Sequence, residues 1–394
     1  MATGVSVTKI IGGPALVSYR GATFYAKSDI TLELAQETFP VSVDAYREVD
    51  ERVRRQPIRV RFIPAGEWES LTVLYDYDNS PLGDLITPNR TLGVIVSNRI
   101  TCYSHLLLTG DLVYVTNSGG ALPSGLSAGT PYYIRSYSSD ALTFHLTLAD
   151  ANAGTNIIAI SGGTGTNKLV VNNPLTIQTF AGILITLWNA AITKIPDIVG
   201  SATETLLEEV QFDAFLGDGR DPTSVIAYYS IAASPYLGDT TFNPANILTQ
   251  PVNIAWGTSP WDSFQMKTGV RVRFDLSLED VDIDGLGTLT KRISGLKVTA
   301  RGIPVGISES DLLTALQQQG AGAGIGRSLG SGKADFVMSA TGFYAKLTAA
   351  ALVGGPQLFS SRQDRVGELT WVATRTFTNG RPNALFYIGT AVPS

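Results

Sequence analysis

A short pattern that occurs twice constrains the fold of this chain more than any other feature. The sequence RFIPAGEWESL runs from Arg61 to Leu71, and RGIPVGISESDLL runs from Arg301 to Leu313. In both, an Ile-Pro-x-Gly turn leads directly into a short segment that contains Glu and Ser and ends in leucine. The residues that define the repeated turn are Ile63, Pro64, Gly66, Ile303, Pro304 and Gly306. Such a repetition predicts that one supersecondary unit is used twice.

The sequences that follow the two turns also correspond. After the first turn, the Ala-rich segment NAAITKIPDI (residues 189–198) is followed by LLEEVQFDAF, which ends at Phe215. After the second turn, TAAALVGGPQLF (residues 348–359) is followed by GELTWVATRTF, which ends at Phe377. The same order of elements at nearly the same spacing predicts a tandem duplication. The alternative is a chance similarity between β segments that share turn chemistry.

Alternating apolar and polar residues predict that the chain is mainly β, because period-2 alternation buries one face of a strand. Helix candidates are few, and one follows each repeated turn: residues 67–75 and 308–319. Ser308 with Asp311 three residues later is a capping-box variant, and Gly320 ends the second candidate. The predicted strands are Ile30–Leu34, Ile58–Phe62, Leu175–Phe180, Val270–Leu278, Leu296–Ala300 and Glu368–Phe377.

The interval between the turn and the Ala-rich segment is much longer in the first copy, which predicts an inserted domain. The insert is rich in Gly, Ser, Thr and Asn, and its predicted strands are DLVYVT, TPYYIRSY, LTFHLT, NIIAIS and KLVV. These strands predict a small β-sandwich or barrel that projects outward from an exposed loop of its host. The predicted fold is therefore two tandem β-sandwich modules, each with one short helix, plus an inserted all-β domain. The predicted ranges are 1–96 with 173–218 for the first module, 97–172 for the insert and 219–394 for the second module.

Composition narrows the classes of protein that this chain can belong to. Charged residues make up only 16% of the sequence, against a typical share of about 25%, which indicates a surface partly used in subunit contacts. A net charge of −5 argues against a general nucleic-acid binder. Cys102 is the only cysteine, the N-terminus does not resemble a signal peptide, and the longest apolar run (residues 181–192) is too short for a membrane span. We expect a soluble protein of a reducing compartment, without a membrane partner.

Motifs for catalysis or for metal and cofactor binding are weak. The Gly-rich run 320–333 lacks the spacing of a phosphate-binding loop, because Lys333 is followed by Ala334 rather than Ser or Thr. Cys102 and His105 supply only two metal ligands, and Asp280, Asp282 and Asp284 lack the closing Glu of an EF-hand. No nucleophile–base pair stands out. We therefore expect no enzyme activity, no cofactor and no bound metal.

The first copy resembles the tail tube proteins of long-tailed bacteriophages. The similarity lies in GGPALVSYRGATFYAKSDITLEL (residues 12–34), DERVRRQPIRVRFIPAGEW (residues 50–68) and AAITKIPDIVGSATETLLEEVQF (residues 190–212). GDLVYVTNSGGALPSGLSAGTPYYI (residues 110–134), within the insert, is similar to a small β module of phage virion proteins. The second copy departs further and is assigned through the internal repeat.

The resemblance implies barrel-forming modules whose sheets join those of their neighbours around a channel, in stacked rings of six modules. With two modules per chain, three chains would complete a pseudo-hexameric ring. The implied location is the virion tail, assembled in the host bacterial cytoplasm. The implied partners are other copies of this chain, the terminator, distal tail and tape measure proteins, and phage DNA that passes through the lumen without sequence-specific binding. A net-negative lining would repel the phosphates of this DNA.

The densest charged stretch (residues 43–57) corresponds to the hairpin loop that contacts the adjoining ring in this family. Its mixed charges suit a surface that fixes register between rings; the alternative is a solvated hairpin. The predicted stacking residues are Asp44, Arg47, Glu48, Asp50, Glu51, Arg52, Arg54 and Arg55. Two other functions stay open: a terminator, distal tail or baseplate ring protein, and a carbohydrate-binding tail appendage that uses the insert.

Overall fold

The computed structural model describes most of the chain, with gaps. The described residues are 3–11, 14–20, 22–41, 50–55, 57–75, 90–102, 107, 109–128, 130–138, 140–171, 174–180, 182–187, 190–201, 206–214, 229–233, 252–258, 260–283, 287–308, 310–312, 333–353, 367–374, 377–378, 381–382 and 384–392.

The first part of the chain forms a long bent hairpin and the strands that pack against it. Its elements are β1 (Thr3–Ile11), β2 (Ala15–Tyr19), β3 (Ala22–Ala26), β4 (Ile30–Val41), β5 (Asp50–Arg55), β6 (Ile58–Phe62), β7 (Pro64–Ala65), α1 (Trp68–Leu71) and a 3-10 turn (Thr72–Tyr75). Strand β4 pairs antiparallel with β5 and β6. The predicted alternation in β6 is confirmed, because Ile58, Val60 and Phe62 are buried whereas Arg59 and Arg61 point to the other face.

The next part folds into a sheet with a core of its own. Its elements are β8 (Arg90–Thr91), β9 (Ile95–Val96), β10 (Arg99–Thr101), β11 (Leu112–Ser118), β12 (Tyr132–Ser138), β13 (Ala141–His145), α2 (Leu148–Ala153) and β14 (Thr166–Val171). These seven strands form one sheet in the order β8-β14-β11-β12-β13-β10-β9. Val113, Phe144 and Leu169 are fully buried in its core.

Two local predictions in this segment are wrong. NIIAIS is not a strand: only Ser161 makes a bridge, to Ser124, and the Ile158 amide donates a single hydrogen bond to the Phe144 carbonyl. Helix α2 was not predicted, although the Thr147 hydroxyl accepts from the Asp150 amide (3.1 Å) and the C-cap Gly154 has φ of 70°. A short apolar run without alternation does not separate strand from coil.

Six further strands return the chain to the first sheets. They are β15 (Leu175–Thr179), β16 (Ile183–Leu187), β17 (Ala190–Lys194), β18 (Ile198–Gly200), β19 (Val210–Ala214) and β20 (Tyr229–Ala233). One sheet has the order β20-β16-β15-β2-β3-β7. The predicted boundary at residue 218 assigned β20 to the second module, but β20 pairs with β16 along its whole length. The structure therefore moves this strand to the first sheets, because strand pairing sets the partner of a segment that the sequence leaves ambiguous.

The last part contains the longest strands. They are β21 (Asn253–Trp256), β22 (Gln265–Ile283), β23 (Gly287–Val305), β24 (Ala334–Ala340), β25 (Phe343–Val353), β26 (Leu369–Val372), β27 (Phe377–Thr378), β28 (Arg381–Pro382) and β29 (Phe386–Gly389). Residues 310–312 are helical. The predicted capping box is confirmed: the Asp311 amide donates to the Ser308 hydroxyl (3.2 Å), and the Ser308 amide donates to the Asp311 carboxylate (3.4 Å).

The molecule is mainly β, as predicted, with curled sheets and a half-barrel. Strand β25 passes between two layers, because its first half pairs with β24 and β29 and its second half pairs with β26. A single apolar core runs through both halves of the chain and includes Phe62, Phe212 and Trp371. None of the helices in the described ranges is long and apolar enough to cross a membrane.

Candidate assembly interface

The two predicted turns end equivalent strands. Gly66 has φ of +141° and Gly306 has φ of +83°, a region that favours glycine. Pro64 lies opposite Ala26, and Pro304 lies opposite Met266. In both cases a helical turn follows, at Trp68–Leu71 and at residues 310–312.

The hydrogen-bond register is the same in the two hairpins that lead into these turns. Arg61 lies opposite Thr31 on β4, and Arg301 lies opposite Arg271 on β22. In each hairpin the arginine is two positions before the isoleucine of the turn. The residue opposite it is 30 positions earlier in both cases, as these register pairs give.

The third strand repeats the same geometry. Strand β19 places Phe212 opposite Val60, and β26 places Trp371 opposite Ala300. Both aromatic side chains are fully buried. Strand β20 on β16 also has its counterpart in β29 on β25, since both are antiparallel additions to the same edge.

A matching aromatic donor spans each pair of layers. The Tyr19 hydroxyl donates to the Ala190 carbonyl (3.3 Å), and the Trp256 indole donates to the Ala350 carbonyl (2.8 Å). Tyr19 packs edge-on against Phe212, with ring centroids 5.0 Å apart. Trp256 packs edge-on against Trp371, with ring centroids 6.2 Å apart.

A backbone joint connects the two halves. Strand β18 pairs antiparallel with β22, with Ile198 opposite Val272 and Gly200 opposite Val270. The approach is close at Gly200: a Cβ there would lie 2.9 Å from Val270 Cγ1 and 3.1 Å from Met338 Sδ. Only glycine fits this position without moving a neighbour.

Polar groups line the joint. The Phe274 amide donates to the Asp197 carboxylate (3.3 Å), and the Tyr75 hydroxyl donates to the Pro196 carbonyl (3.0 Å). Burial raises the pKa of Asp197, and the charge of Glu208 adds to this effect, whereas the Phe274 amide opposes it. Burial also raises the pKa of Tyr75 well above its ordinary value, with a further contribution from Asp197.

The polar face of the first-half sheet is held together by ion pairs around a buried carboxylate. Asp213 is fully buried, with Arg59 Nε 3.2 Å away and Lys291 Nζ 3.5 Å away. Arg61 pairs with Glu33 at 3.2 Å. Because Lys291 lies on β23, this cluster also ties the first half to the long hairpin of the second half.

The corresponding face of the second half is more exposed. Arg271 pairs with Glu208 at 2.8 Å, and Arg273 pairs with Asp275 at 2.7 Å. The Arg273 and Asp275 side chains are 55% and 44% exposed, so solvent weakens this pair. This face of the sheet thus carries charges of both signs.

A buried ion pair attaches the small domain of residues 90–171. Arg20, in the turn between β2 and β3, pairs with Asp111 at 2.7 Å, and the Asp111 side chain is 3% exposed. A cavity of 620 Å³ lies beside this contact and is lined by Arg20, Glu69, Thr109, Asn152 and Tyr387, among others.

The predicted stacking residues are only partly described. Asp50, Glu51, Arg52, Arg54 and Arg55 lie on β5, whose backbone pairs with Gln36–Val41 of β4. Asp44, Arg47 and Glu48 lie outside the described residues. The structure therefore brings five of the eight onto one strand.

The residues with weak metal or phosphate signals are placed as follows. His145 is fully buried, with Nδ1 2.8 Å from the Thr155 carbonyl and Nε2 3.0 Å from the Thr143 hydroxyl. Cys102 is buried, and Asp280 pairs with Lys291 at 3.2 Å. His105, Asp284 and residues 320–332 lie outside the described part of the chain.

Sequence reasoning missed the joint and the Asp213 cluster. The joint had one local signal, the glycine that ends the apolar Ile198-Val199-Gly200 run. Comparison with known proteins adds no further identification: no family model and no curated protein matches the chain.

Proposed function

We propose that this chain is a tail tube subunit of a long-tailed bacteriophage, built from two tandem tube modules. Three copies form a ring with pseudo-sixfold symmetry, and the rings stack into a channel for DNA. The main support is the repeated register: two hairpins, their third strands and their added edge strands pair in the same way.

The joint between β18 and β22 supports a ring of modules. It joins consecutive modules edge to edge by backbone hydrogen bonds, which add no requirement for a particular side chain. Repeating the same contact between chains would close the sheet and remove its free edges. A heterologous contact that closes on itself gives a ring rather than a filament.

The polar face suits a lining that does not hold DNA. Arg59 and Arg61 on this face are each paired with a carboxylate, which leaves less net positive charge for phosphates. We therefore refine the expected net-negative lining to one in which most described cations are internally neutralised.

Electron microscopy of the purified full-length protein tests this function. We expect long hollow tubes, and averaged rings with threefold symmetry in which six similar modules are visible. Single rings without tubes would favour a terminator or distal tail role. A monomer that never assembles would contradict a tube subunit.

A further inference from the structure

The outer edge of β22, where the second half begins, is occupied by a strand from the first half. Val270, Arg271 and Val272 lie opposite Gly200, Val199 and Ile198 of β18. Val199 is only 6% exposed in this arrangement. The second-half edge is therefore fully covered within the chain.

The equivalent edge of the first half is on β4. Because Thr31 and Arg271 occupy the same register position before their turns, Ile30–Leu32 corresponds to residues 270–272. This edge is occupied by the N-terminal strand β1, with Ile10 opposite Thr31. The direction is antiparallel, as it is for β18.

The β1 contact is less complete than the β18 contact. Ile10 occupies the position that Val199 occupies in the joint, since each faces the residue that defines the register. Ile10 is 67% exposed, whereas Val199 is 6% exposed. An apolar side chain that is buried at one joint and exposed at the equivalent site indicates that the second site is not the assembled state.

The sequence contains a second segment of the β18 type. Pro196–Ser201 reads PDIVGS, and Pro356–Ser361 reads PQLFSS, at the same place in the second half. Both put two apolar residues two positions after proline. In a ring, the segment of one copy would meet the first module of the next copy.

We propose that the outer edge of β4 at Ile30–Leu32 is the docking site for a second copy of this chain, through residues 358–360 of that copy. Strand β1 holds the site in the free chain and leaves it when the ring closes. This inference rests on the proposed tube function. It also explains how a free subunit avoids exposing a bare sheet edge before assembly.

A disulfide lock tests whether β1 must leave. Ile10→Cys with Thr31→Cys joins two directly opposite residues, whose Cβ separation in a ladder approaches that of a disulfide. The native Cys102 is buried and stays clear of the lock. The matched control is Ser18→Cys with Thr176→Cys, also directly opposite, but between β2 and β15.

Assembly of the reduced and oxidised forms is followed by light scattering and electron microscopy. We expect the oxidised lock to stay monomeric and the reduced lock to form rings and tubes, while the control assembles in both states. An oxidised lock that assembles as well as the reduced form would overturn the displacement of β1 and leave the tube function standing. Wild-type protein that never assembles would overturn both.

A second variant weakens β1 in the full-length chain. Ser6→Pro with Val7→Pro removes backbone donors from consecutive positions, so one of them faces β4. We expect assembly at a protein concentration lower by about tenfold, which corresponds to roughly 1.4 kcal/mol. Weaker assembly than wild type would mean that β1 belongs to the joint, and would overturn the proposal.

Discussion

The two halves of the molecule share a backbone pattern but differ in the chemistry of their polar faces. On the third strand, Phe212 and Trp371 occupy one register position and both are fully buried. At the next position, the first half has the buried Asp213 and the second half has Val372. The core side of the register thus keeps large aromatic residues, whereas the opposite side changes from charged to apolar.

This difference separates two roles of a sheet residue. The inward side chain sets the volume between layers, and changes there create cavities or strain. The outward side chain responds to what lies next to it. Asp213 is next to Lys291 of the long β22–β23 hairpin, which gives the first half a contact that the second half does not repeat with a described residue.

Truncating the two equivalent aromatic residues should have the largest effect. We expect Phe212→Ala and Trp371→Ala each to lower the free energy of unfolding by about 3–5 kcal/mol, because both side chains are fully buried. Trp371→Phe, which copies the first half, should cost about 1 kcal/mol or less, since no described group accepts a hydrogen bond from its indole. Urea titration measures all three, and a small loss in only one alanine variant would break the equivalence.

Removing the buried carboxylate should have the next largest effect. Asp213→Val copies the second half and leaves Arg59 and Lys291 without this partner, so we expect a loss of about 2–4 kcal/mol. The control Asp275→Val breaks a shorter pair (2.7 Å), but this pair is exposed and should cost about 1 kcal/mol or less. Equal losses in thermal or urea unfolding would show that burial does not set the difference.

Several parts of this architecture followed from the sequence because their causes are local. The alternation in Ile58–Phe62 and the Ser308–Asp311 capping box depend on residues a few positions apart. Strand β20 and the Asp213–Lys291 pair depend on residues far apart in the chain, so no local pattern carried them. The joint at Gly200 had a signal in its glycine, but its partner Val270 is set by the folded sheet.

The aromatic donors should give a smaller effect that follows hydrogen-bond length. Tyr19→Phe removes a donor 3.3 Å from the Ala190 carbonyl, and we expect a loss of about 0.5–1 kcal/mol. Trp256→Phe removes a donor at 2.8 Å together with part of a buried ring, so the loss should be about 1–2 kcal/mol. Urea unfolding of both variants should rank them in this order, and the reverse order would contradict a shared role for the two donors.

The smallest effect should come from Asp197 at the joint and should depend on pH. Because the pKa of Asp197 is raised in the folded state, mainly by burial, the protonated carboxyl favours folding. This contribution is fully present below the ordinary pKa of 3.8 and is lost as the pH rises through the raised value. Asp197→Asn keeps an acceptor for the Phe274 amide but cannot titrate. The stability of Asp197→Asn relative to wild type should therefore increase with pH above 3.8, as measured by urea unfolding at pH 3–6. If the difference between the two proteins is the same at every pH, Asp197 does not titrate differently on folding, and burial of the joint does not reach this carboxylate.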